Sequence, residues 1–338
     1  MMLQENCSLR AYNTFGIEVS ARYVAEAADV NTLQSLIEEP KFRALPLMVL
    51  GGGSNVLFRS NYNGVVVLNR IPGIEIVRED EQEILVKAGS GVVWHELVMW
   101  TVERNYGGLE NLSLIPGCVG AAPMQNIGAY GVEMKDCFHS LEALHTETLE
   151  IHRFTAAECK FGYRESVFKR ELKGEYIIVS VTFSLKKQPV LKTHYGAIEQ
   201  ELEKMGIRDL TVKAVSDAVI RIRQSKLPDP KVTGNAGSFF KNPEITPEQK
   251  EQLLAHYPDA VVYPLENGNF KAAAGWLIEK AGWKGKRVGH CGVHHLQALV
   301  LVNHGGAGGQ EIFDLSTNIL EDINNKFGIL LEREVNIL

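Results

Sequence analysis

Short hydrophobic runs bounded by polar and glycine residues dominate the first half of the chain. Strand patterns of this kind occur at residues 21–27, 45–50, 65–68, 83–88, 140–144, 150–155 and 176–185. Two segments instead repeat their apolar residues at helical spacing: residues 31–39, which Asp29 can cap, and residues 92–105, where Val93, Leu97 and Trp100 share one stripe. Many strands with few helices predict an α+β fold class rather than a doubly wound sheet.

Helical patterns are more frequent in the second half. They predict helices at residues 192–206, entered from a loop that holds Tyr195, and at residues 212–225, 272–281 and 309–327. Residues 298–302 have the pattern of a buried strand. The chain ends in an extended segment, residues 329–338, which carries Glu332 and Glu334.

Residues 115–134 fit neither pattern. They read IPGCVGAAPMQNIGAYGVEM, which is too broken by glycine and proline for one helix or strand and too apolar for an ordinary solvated loop. A buried irregular segment must find partners for its backbone N–H and C=O groups. A bound polar ligand could supply them, or the segment could be a glycine-rich packing loop; the stretch alone leaves both open.

A tight glycine turn, residues 51–53, follows the strand pattern at 45–50 and leads into Ser54 and Asn55. It is not a dinucleotide fingerprint, because the third glycine would fall at position 56, which is Val56. It is not a P-loop either, because no GK[ST] follows. The turn could offer backbone N–H groups to a phosphate, or it could be a plain β-turn.

Composition narrows the class of protein. The 338 residues are 45% hydrophobic and 22% charged, and the net charge is −6, which argues against non-specific nucleic-acid binding. We see no signal peptide and no apolar run as long as a membrane span. The five cysteines are scattered without a CxxC spacing, so we expect a cytoplasmic protein with reduced thiols. A length of 338 residues predicts two or three domains.

Several polar residues could carry chemistry. Ser238 lies between a glycine and two phenylalanines, where a sheltered hydroxyl could donate a proton or simply form a turn. Arg164 could hold a carboxylate, or pair on the surface with Glu158 or Glu165. Lys226 and Arg223 form a basic cluster at a helix end, suited to a phosphate or to solvent.

Four histidines and cysteines in residues 290–295 have a spacing that is untypical of zinc, and we expect no metal site. Up to this point the pattern indicates a multidomain α+β protein that binds a phosphorylated ligand.

The order of several motifs carries a resemblance to a known family. The motifs are NTFG at 13–16, LGGGSN at 50–55, IPGCVG at 115–120, PMQNIGAYG at 123–131, YRES at 163–166, GNAGSFFKNP at 234–243, and Glu334-Val335. In this order they resemble the UDP-N-acetylenolpyruvoylglucosamine reductases, the FAD enzymes called MurB. The match runs from about Asn13 to the C-terminus, and the Tyr195 loop and residues 226–230 are those of the longer form of the family.

The resemblance implies a domain organisation. A two-part FAD-binding region of the vanillyl-alcohol-oxidase type would comprise residues 1–70 and 71–215, completed by a C-terminal strand at 328–338. Residues 216–327 would form an α/β substrate-binding domain.

The resemblance also implies a reaction. NADPH would reduce FAD, and flavin N5 would then deliver a hydride to C3 of the enolpyruvyl ether of UDP-N-acetylglucosamine while C2 takes a proton. The product would be UDP-N-acetylmuramate, a peptidoglycan precursor. Arg164 would stabilise negative charge at C2 and the carboxylate, Glu334 would hold the same group, and Ser238 would donate the proton. Because a serine hydroxyl is a very weak acid, we expect Lys241 or a water network to assist it.

Binding residues carry over position by position. The implied FAD contacts are Gly51, Gly52, Gly53, Ser54, Asn55, Pro116, Gly117, Gly120, Ala121, Ala122, Gln125, Asn126, Gly128 and Gly131. The implied contacts to the UDP-sugar are Tyr195, Lys226, Asn242 and Gln297. The expected partners are this small substrate and NADPH, with no nucleic acid and no membrane, and we expect a monomer.

Three departures from the family matter. Ala121 and Ala122 stand where some relatives have serines, and Asn336 stands where an arginine is common. Glu332 and Glu334 share one strand face, so the choice between them rests on the family register. Two other functions stay open: another FAD-dependent oxidoreductase of the same fold, or a non-catalytic protein that binds a UDP-sugar.

Overall fold

The computed structural model describes residues 3–338. Its strands are β1 (Leu3–Ser8), β2 (Ser20–Ala27), β3 (Leu47–Leu50), β4 (Val56–Leu57), β5 (Tyr62–Asn69), β6 (Ile74–Glu79), β7 (Glu83–Gly89), β8 (Gly128–Ala129), β9 (Val132–Glu133), β10 (Phe138–His145), β11 (Ile151–Thr155), β12 (Tyr176–Lys186), β13 (Gly234–Ser238), β14 (Glu244–Ile245), β15 (Val262–Pro264), β16 (Phe270–Ala272), β17 (Arg287–Val288), β18 (Cys291–Val293), β19 (Val300–Asn303) and β20 (Asn336–Ile337). Its α-helices are α1 (Val30–Glu38), α2 (Trp94–Val102), α3 (Ala156–Cys159), α4 (Gly196–Lys204), α5 (Val212–Lys226), α6 (Pro247–His256), α7 (Ala274–Lys280) and α8 (Gly309–Phe327). None of the helices within residues 3–338 is both long and apolar enough to cross a membrane.

The chain forms two compact units. The first contains the residues up to Cys7, Ala21–Gly52 and Asn63–Ser225, and the second contains Ser8–Ser20, Gly53–Tyr62 and Lys226–Leu338. The segments 8–20 and 53–62 fall in the second unit because they bond to it: Thr14 Oγ1 donates to Asn235 O over 2.6 Å, and Asn336 N donates to Asn55 O over 3.1 Å. The predicted boundaries at 70, 215 and 327 stay a prediction.

In the first unit, a four-stranded sheet has the order β1-β2-β5-β3. Helix α1 starts as the sequence predicts, because Asp29 Oδ1 accepts a hydrogen bond from Thr32 N over 2.7 Å. Its apolar residues Leu33 and Leu36 are fully buried and belong to one core cluster with Val65 and Val67 of β5.

The second sheet of this unit is antiparallel, with the order β11-β10-β12-β7-β6. Its core contains Trp94, Leu97 and Val98 of α2, together with Val181 and Phe183 of the central strand. Helix α2 is shorter than the predicted 92–105, because it begins only at Trp94 and ends at Val102. A hairpin, β8-β9, lies in the glycine-rich segment 115–134.

The second unit contains a sheet of order β13-β19-β18-β17, a sheet of order β14-β16-β15, and the parallel pair β20-β4. Helix α8 occupies residues 309–327 as predicted, and Gly328 ends it in the left-handed conformation with φ of 63°. The predicted terminal strand at 329–338 is regular only at β20, with a further bridge between Phe240 and Arg333. Helix α6 was not predicted, although Thr246 and Gln249 form a capping box at its start.

Candidate active site and cofactor cavity

A cavity of about 920 Å³ opens in the first unit. This volume lies at the upper end of the range of about 300–1,000 Å³ that is typical of ligand pockets. Its lining residues include Leu36, Phe42, Met48, Gly51, Asn69, Ser90, Gly120, Ala121, Met124, Leu149, Tyr176 and Ile178. The glycine turn and the glycine-rich segment therefore meet at one cavity, as a shared ligand site requires.

Several glycines of the two segments have no room for a side chain. A Cβ at Gly120 would lie 2.5 Å from Ser90 Cβ, and a Cβ at Gly52 would lie 3.0 Å from Gly117 Cα. Gly53, in the second unit, has φ of 61°, and its Cβ would lie 1.9 Å from Tyr12 O. Close packing is compatible with a ligand site at Gly51 and Gly120, which line the cavity, because a glycine leaves bare backbone at the cavity wall.

Three polar residues that sequence reasoning did not single out support this wall. The buried Ser90 donates from Oγ to Asn69 Oδ1 over 2.8 Å, and Asn69 Nδ2 donates to Ile178 O over 3.2 Å. Arg70 Nη1 donates to Gly51 O over 3.2 Å. The sequence signal that could have identified Asn69 and Arg70 is their position directly after the hydrophobic run 65–68, the strand pattern that follows the glycine turn.

We expect Gly120→Ala to weaken cofactor retention. Its methyl group would overlap the Ser90 side chain, and such overpacking costs about 1–3 kcal/mol and shifts the cavity wall. The purified variant should contain less bound flavin than wild type, measured by absorbance after gel filtration. Gly196→Ala is the matched control, because nothing lies within 4 Å of a Cβ there; equal flavin content in the two variants would contradict this account of Gly120.

The two alanines that replace serines of some relatives differ in position. Ala121 is exposed and lines the cavity, whereas Ala122 is buried in the core of the first unit. A hydroxyl at 121 could reach a cofactor, but one at 122 would enter an apolar core. Of the other predicted contacts, Pro116 and Gly131 are exposed and Gln125 is half-buried.

Arg164 occupies a tight turn of the first unit. Gly162 and Glu165 exchange backbone hydrogen bonds of 3.1 and 3.3 Å, and Arg164 between them has φ of 55°. This left-handed conformation is strained for arginine, and such strain concentrates at functional sites. The guanidinium donates from Nη2 to Gly128 O over 2.8 Å. The carboxylate of Glu165 binds Arg170 over 2.7 Å and that of Glu158 binds Thr155, so both proposed surface partners make other contacts.

Ser238 and Glu334 belong to the second unit. Ser238 ends β13 opposite Val300, and the following residues run antiparallel to the C-terminal segment. Glu334 N donates to Phe239 O over 2.8 Å, which fixes the register of Glu334 next to the Ser238 turn. Asn55 Nδ2 also donates to Glu334 O over 3.4 Å. The structure therefore joins residues from three distant parts of the sequence within this unit.

Lys241 has a different partner from the one we expected. Its side chain is only 9% exposed, and Nζ donates to Glu332 Oε1 over 2.7 Å. This ion pair also distinguishes Glu332 from Glu334, because it gives Glu332 the role of neutralising Lys241. The structure thus does not support direct assistance of Ser238 by Lys241.

The four predicted substrate residues lie on different elements. In the second unit, Asn242 Oδ1 accepts from Ala274 N over 2.9 Å at the start of α7, and Gln297 Oε1 would lie 3.6 Å from a Cβ at Gly275 on the same helix. Lys226 is exposed at the end of α5. In the first unit, Tyr195 is 51% exposed, and its ring packs edge-on against Tyr130 with centroids 5.5 Å apart.

Arg223 is half-buried within the first unit and bonds to the backbone there, so it does not form the surface cluster that the sequence suggested. Its Nε donates to Leu114 O over 3.3 Å, and burial lowers its pKa while a hydrogen bond to Tyr130 opposes that shift. Nearby, His95 Nδ1 accepts from Leu114 N over 3.0 Å. Burial, and then the charge of Arg223, lowers the pKa of His95, so this imidazole stays neutral and can accept the bond.

This arrangement predicts a loss of stability in mild acid. In the unfolded chain His95 binds a proton at its ordinary pKa of about 6.5, whereas in the folded protein it resists protonation. The contribution of His95 to the free energy of unfolding is therefore fully present above about pH 6.5. It is lost as the pH falls from there toward the lowered pKa of His95 in the folded protein. Thermal unfolding between neutral and mildly acidic pH should show a smaller decrease for His95→Asn, whose Oδ1 can accept the Leu114 bond without titrating. An identical decrease in both proteins would contradict this role.

Within residues 3–338, no three His, Cys, Asp or Glu side chains are grouped as a metal site would need. The five cysteines form no disulfide in the same range.

Comparison with known proteins identifies the family. An FAD binding domain model matches residues 21–154, and a model of the UDP-N-acetylenolpyruvoylglucosamine reductase C-terminal domain matches residues 229–338. The chain is 49% identical to the UDP-N-acetylenolpyruvoylglucosamine reductase of Pseudomonas putida over 99% of this chain and 98% of the relative. It is 49% identical to the protein of that name from Amoebophilus asiaticus over the full length of both.

A solved structure shows the same fold. The UDP-N-acetylenolpyruvylglucosamine reductase of Thermus caldophilus superposes with a TM-score of 0.68 over 99% of both chains, at 24% identity. The predicted α+β class, with an FAD-binding region and a separate C-terminal domain, is confirmed. The chain belongs to the UDP-N-acetylenolpyruvoylglucosamine reductase family.

Proposed function

We propose that this protein reduces the enolpyruvyl group of UDP-N-acetylenolpyruvoylglucosamine to give UDP-N-acetylmuramate, with NADPH as reductant and FAD as cofactor, in peptidoglycan precursor synthesis. The observation that carries the proposal is near-half identity, over almost the whole chain, to relatives with this named activity. The cavity beside Gly51 and Gly120 supports it, because its volume and bare backbone suit a large cofactor.

The residues of the first unit fit FAD. Gly51, Gly52 and Gly120 would approach the cofactor through their backbones, and Asn69 and Ser90 would hold the wall behind them. Bound FAD supplies the redox chemistry, since it can take a hydride from NADPH and give one to the enolpyruvyl group. The protein must then supply charge stabilisation and a proton.

Arg164 is the residue that we assign to charge stabilisation. Hydride addition at the methylene carbon leaves negative charge over the neighbouring carbon and the carboxylate. A guanidinium held in a fixed position stabilises this developing charge without having to reorganise. Its bond to Gly128 O and its strained turn provide such a fixed position.

Ser238 and Glu334 complete the chemistry in the proposal. Ser238 would donate the proton to the neighbouring carbon, so that one hydride and one proton together reduce the double bond. Glu334 would hold the reacting group, with its position set by the backbone bond to Phe239. Lys226, Tyr195, Asn242 and Gln297 would bind the UDP-sugar, with Lys226 acting as a point charge on the diphosphate.

We also infer that the protein works as a monomer in the cytoplasm. The five cysteines form no disulfide in residues 3–338, which suits a reducing compartment.

Steady-state assays test the proposed function. Purified protein should oxidise NADPH rapidly only when the enolpyruvyl substrate is present, and mass spectrometry should show a product that has gained two hydrogens. If an alcohol or sugar supplied the hydride and oxygen then rapidly reoxidised the reduced flavin, the result would favour another flavin oxidoreductase. A colourless protein that binds the UDP-sugar without turnover would favour a binding protein.

A further inference from the structure

We propose that Asn126 is a positioning residue for Arg164, and that the side-chain N–H groups of Asn126 hold the Arg164 turn and do not donate to the cofactor. The inference rests on the proposed function, because it concerns the arginine to which we assign charge stabilisation. It starts from the contacts of the Asn126 side chain, which is fully buried in the first unit.

The side-chain amide of Asn126 makes three hydrogen bonds within the first unit. Its Nδ2 donates to Gly162 O over 3.0 Å and to Glu133 Oε2 over 3.0 Å, and its Oδ1 accepts from Lys135 N over 3.0 Å. These bonds use both amide hydrogens of Nδ2. The amide therefore has no remaining N–H for a cofactor.

The bond to Gly162 bears directly on Arg164. Gly162 is the first residue of the turn that holds Arg164, and Ser166 on the other side donates from Oγ to Met124 O over 2.7 Å. One bond thus fixes the chain two residues before Arg164 and another fixes it two residues after. Both bonds tie the turn to the segment 124–128, and Arg164 itself donates to Gly128 O in that segment.

The strain at Arg164 explains why such fixing is needed. A non-glycine residue with φ of 55° relaxes unless its surroundings hold it. If the turn relaxed, the guanidinium would move away from the position in which it stabilises charge. A shift of about 1 Å in a reacting group can cost about a hundredfold in rate.

The backbone conformation of Asn126 allows a variant that removes its side chain without straining the backbone. Asn126 also has a positive φ, 43°, which glycine adopts without strain. Asn126→Gly therefore removes the side-chain bonds and keeps the backbone. Asn105→Gly is a matched control, since Asn105 has φ of 58° but is exposed at the end of α2.

The test separates the two half-reactions in single-turnover experiments. Asn126→Gly should retain bound flavin and its reduction by NADPH, and it should slow reoxidation by the enolpyruvyl substrate by roughly 10- to 100-fold. Asn105→Gly should match wild type in both. Ser166→Ala, which removes the other bond, should slow the same half-reaction.

A double-mutant cycle decides between positioning and general stability. In an Arg164→Ala background, Asn126→Gly should cause little further slowing, because the residue it positions is gone. Additive losses would overturn the proposal, as would loss of flavin in both Asn126→Gly and Ser166→Ala. If wild-type protein is not reoxidised by the substrate, the proposed function fails, which is a separate result.

Discussion

Ser238→Ala should leave the reduction of bound flavin by NADPH close to normal and slow its reoxidation by the enolpyruvyl substrate by roughly 100- to 10,000-fold, the usual contribution of a proton donor. NADPH delivers only a hydride, so its half-reaction needs no proton from Ser238. The substrate half-reaction needs one at carbon. Rapid-mixing absorbance measures each half-reaction separately.

The structure also sets the control for Ser238. Phe239 and Phe240 behind Ser238 are almost fully buried, so the alanine variant should keep its fold. Ser60→Ala, an exposed serine in the same unit, makes the same chemical change away from the site. Equal losses in both half-reactions of Ser238→Ala would mean that the residue supports the structure only.

Glu334→Gln should slow substrate reduction by roughly 100-fold and leave the free energy of unfolding close to that of wild type, whereas Glu332→Gln should leave the rate close to normal and lower stability slightly. Removing one preorganised group that acts on developing charge typically costs about 100- to 1,000-fold. Glu332 instead neutralises the buried Lys241 ammonium, and because Glu332 is 62% exposed its loss should cost only about 1 kcal/mol of unfolding free energy.

Urea unfolding and single-turnover reoxidation, measured on both variants, check this crossed pattern. A slower reaction in Glu332→Gln than in Glu334→Gln would show that the family register assigns the wrong carboxylate. Equal effects on both quantities in both variants would mean that the two glutamates act as one network.

Local signals in the sequence predict much of the fold. The Asp29 cap, the strand patterns of the first unit at 21–27, 83–88 and 176–185, and the limits of α8 follow from residues adjacent in sequence, and the structure confirms them. The capping box of α6 was also present, at Thr246 and Gln249, but the weak apolar periodicity after it drew no prediction. The placement of segments 8–20 and 53–62 in the second unit depends on distant partners such as Asn235 and Asn336, which no local pattern reveals.

The candidate site is less accessible to sequence reasoning for the same reason. Motif order identified Arg164, Ser238 and Glu334, and their roles stay predictions. The partner of Lys241 is Glu332, 91 residues away, so the sequence could only suggest that Lys241 lay near Ser238. Asn126 likewise looked like a ligand contact, and only its bonds to Gly162 and Glu133 indicate a positioning role.

The most direct test of the account is one anaerobic experiment on the purified wild-type protein. The yellow absorbance of bound flavin should bleach when NADPH is added in equimolar amount. It should then return when the enolpyruvyl substrate is added in the absence of oxygen. A protein without flavin absorbance, or a reduced flavin that this substrate leaves bleached, would contradict the proposed function.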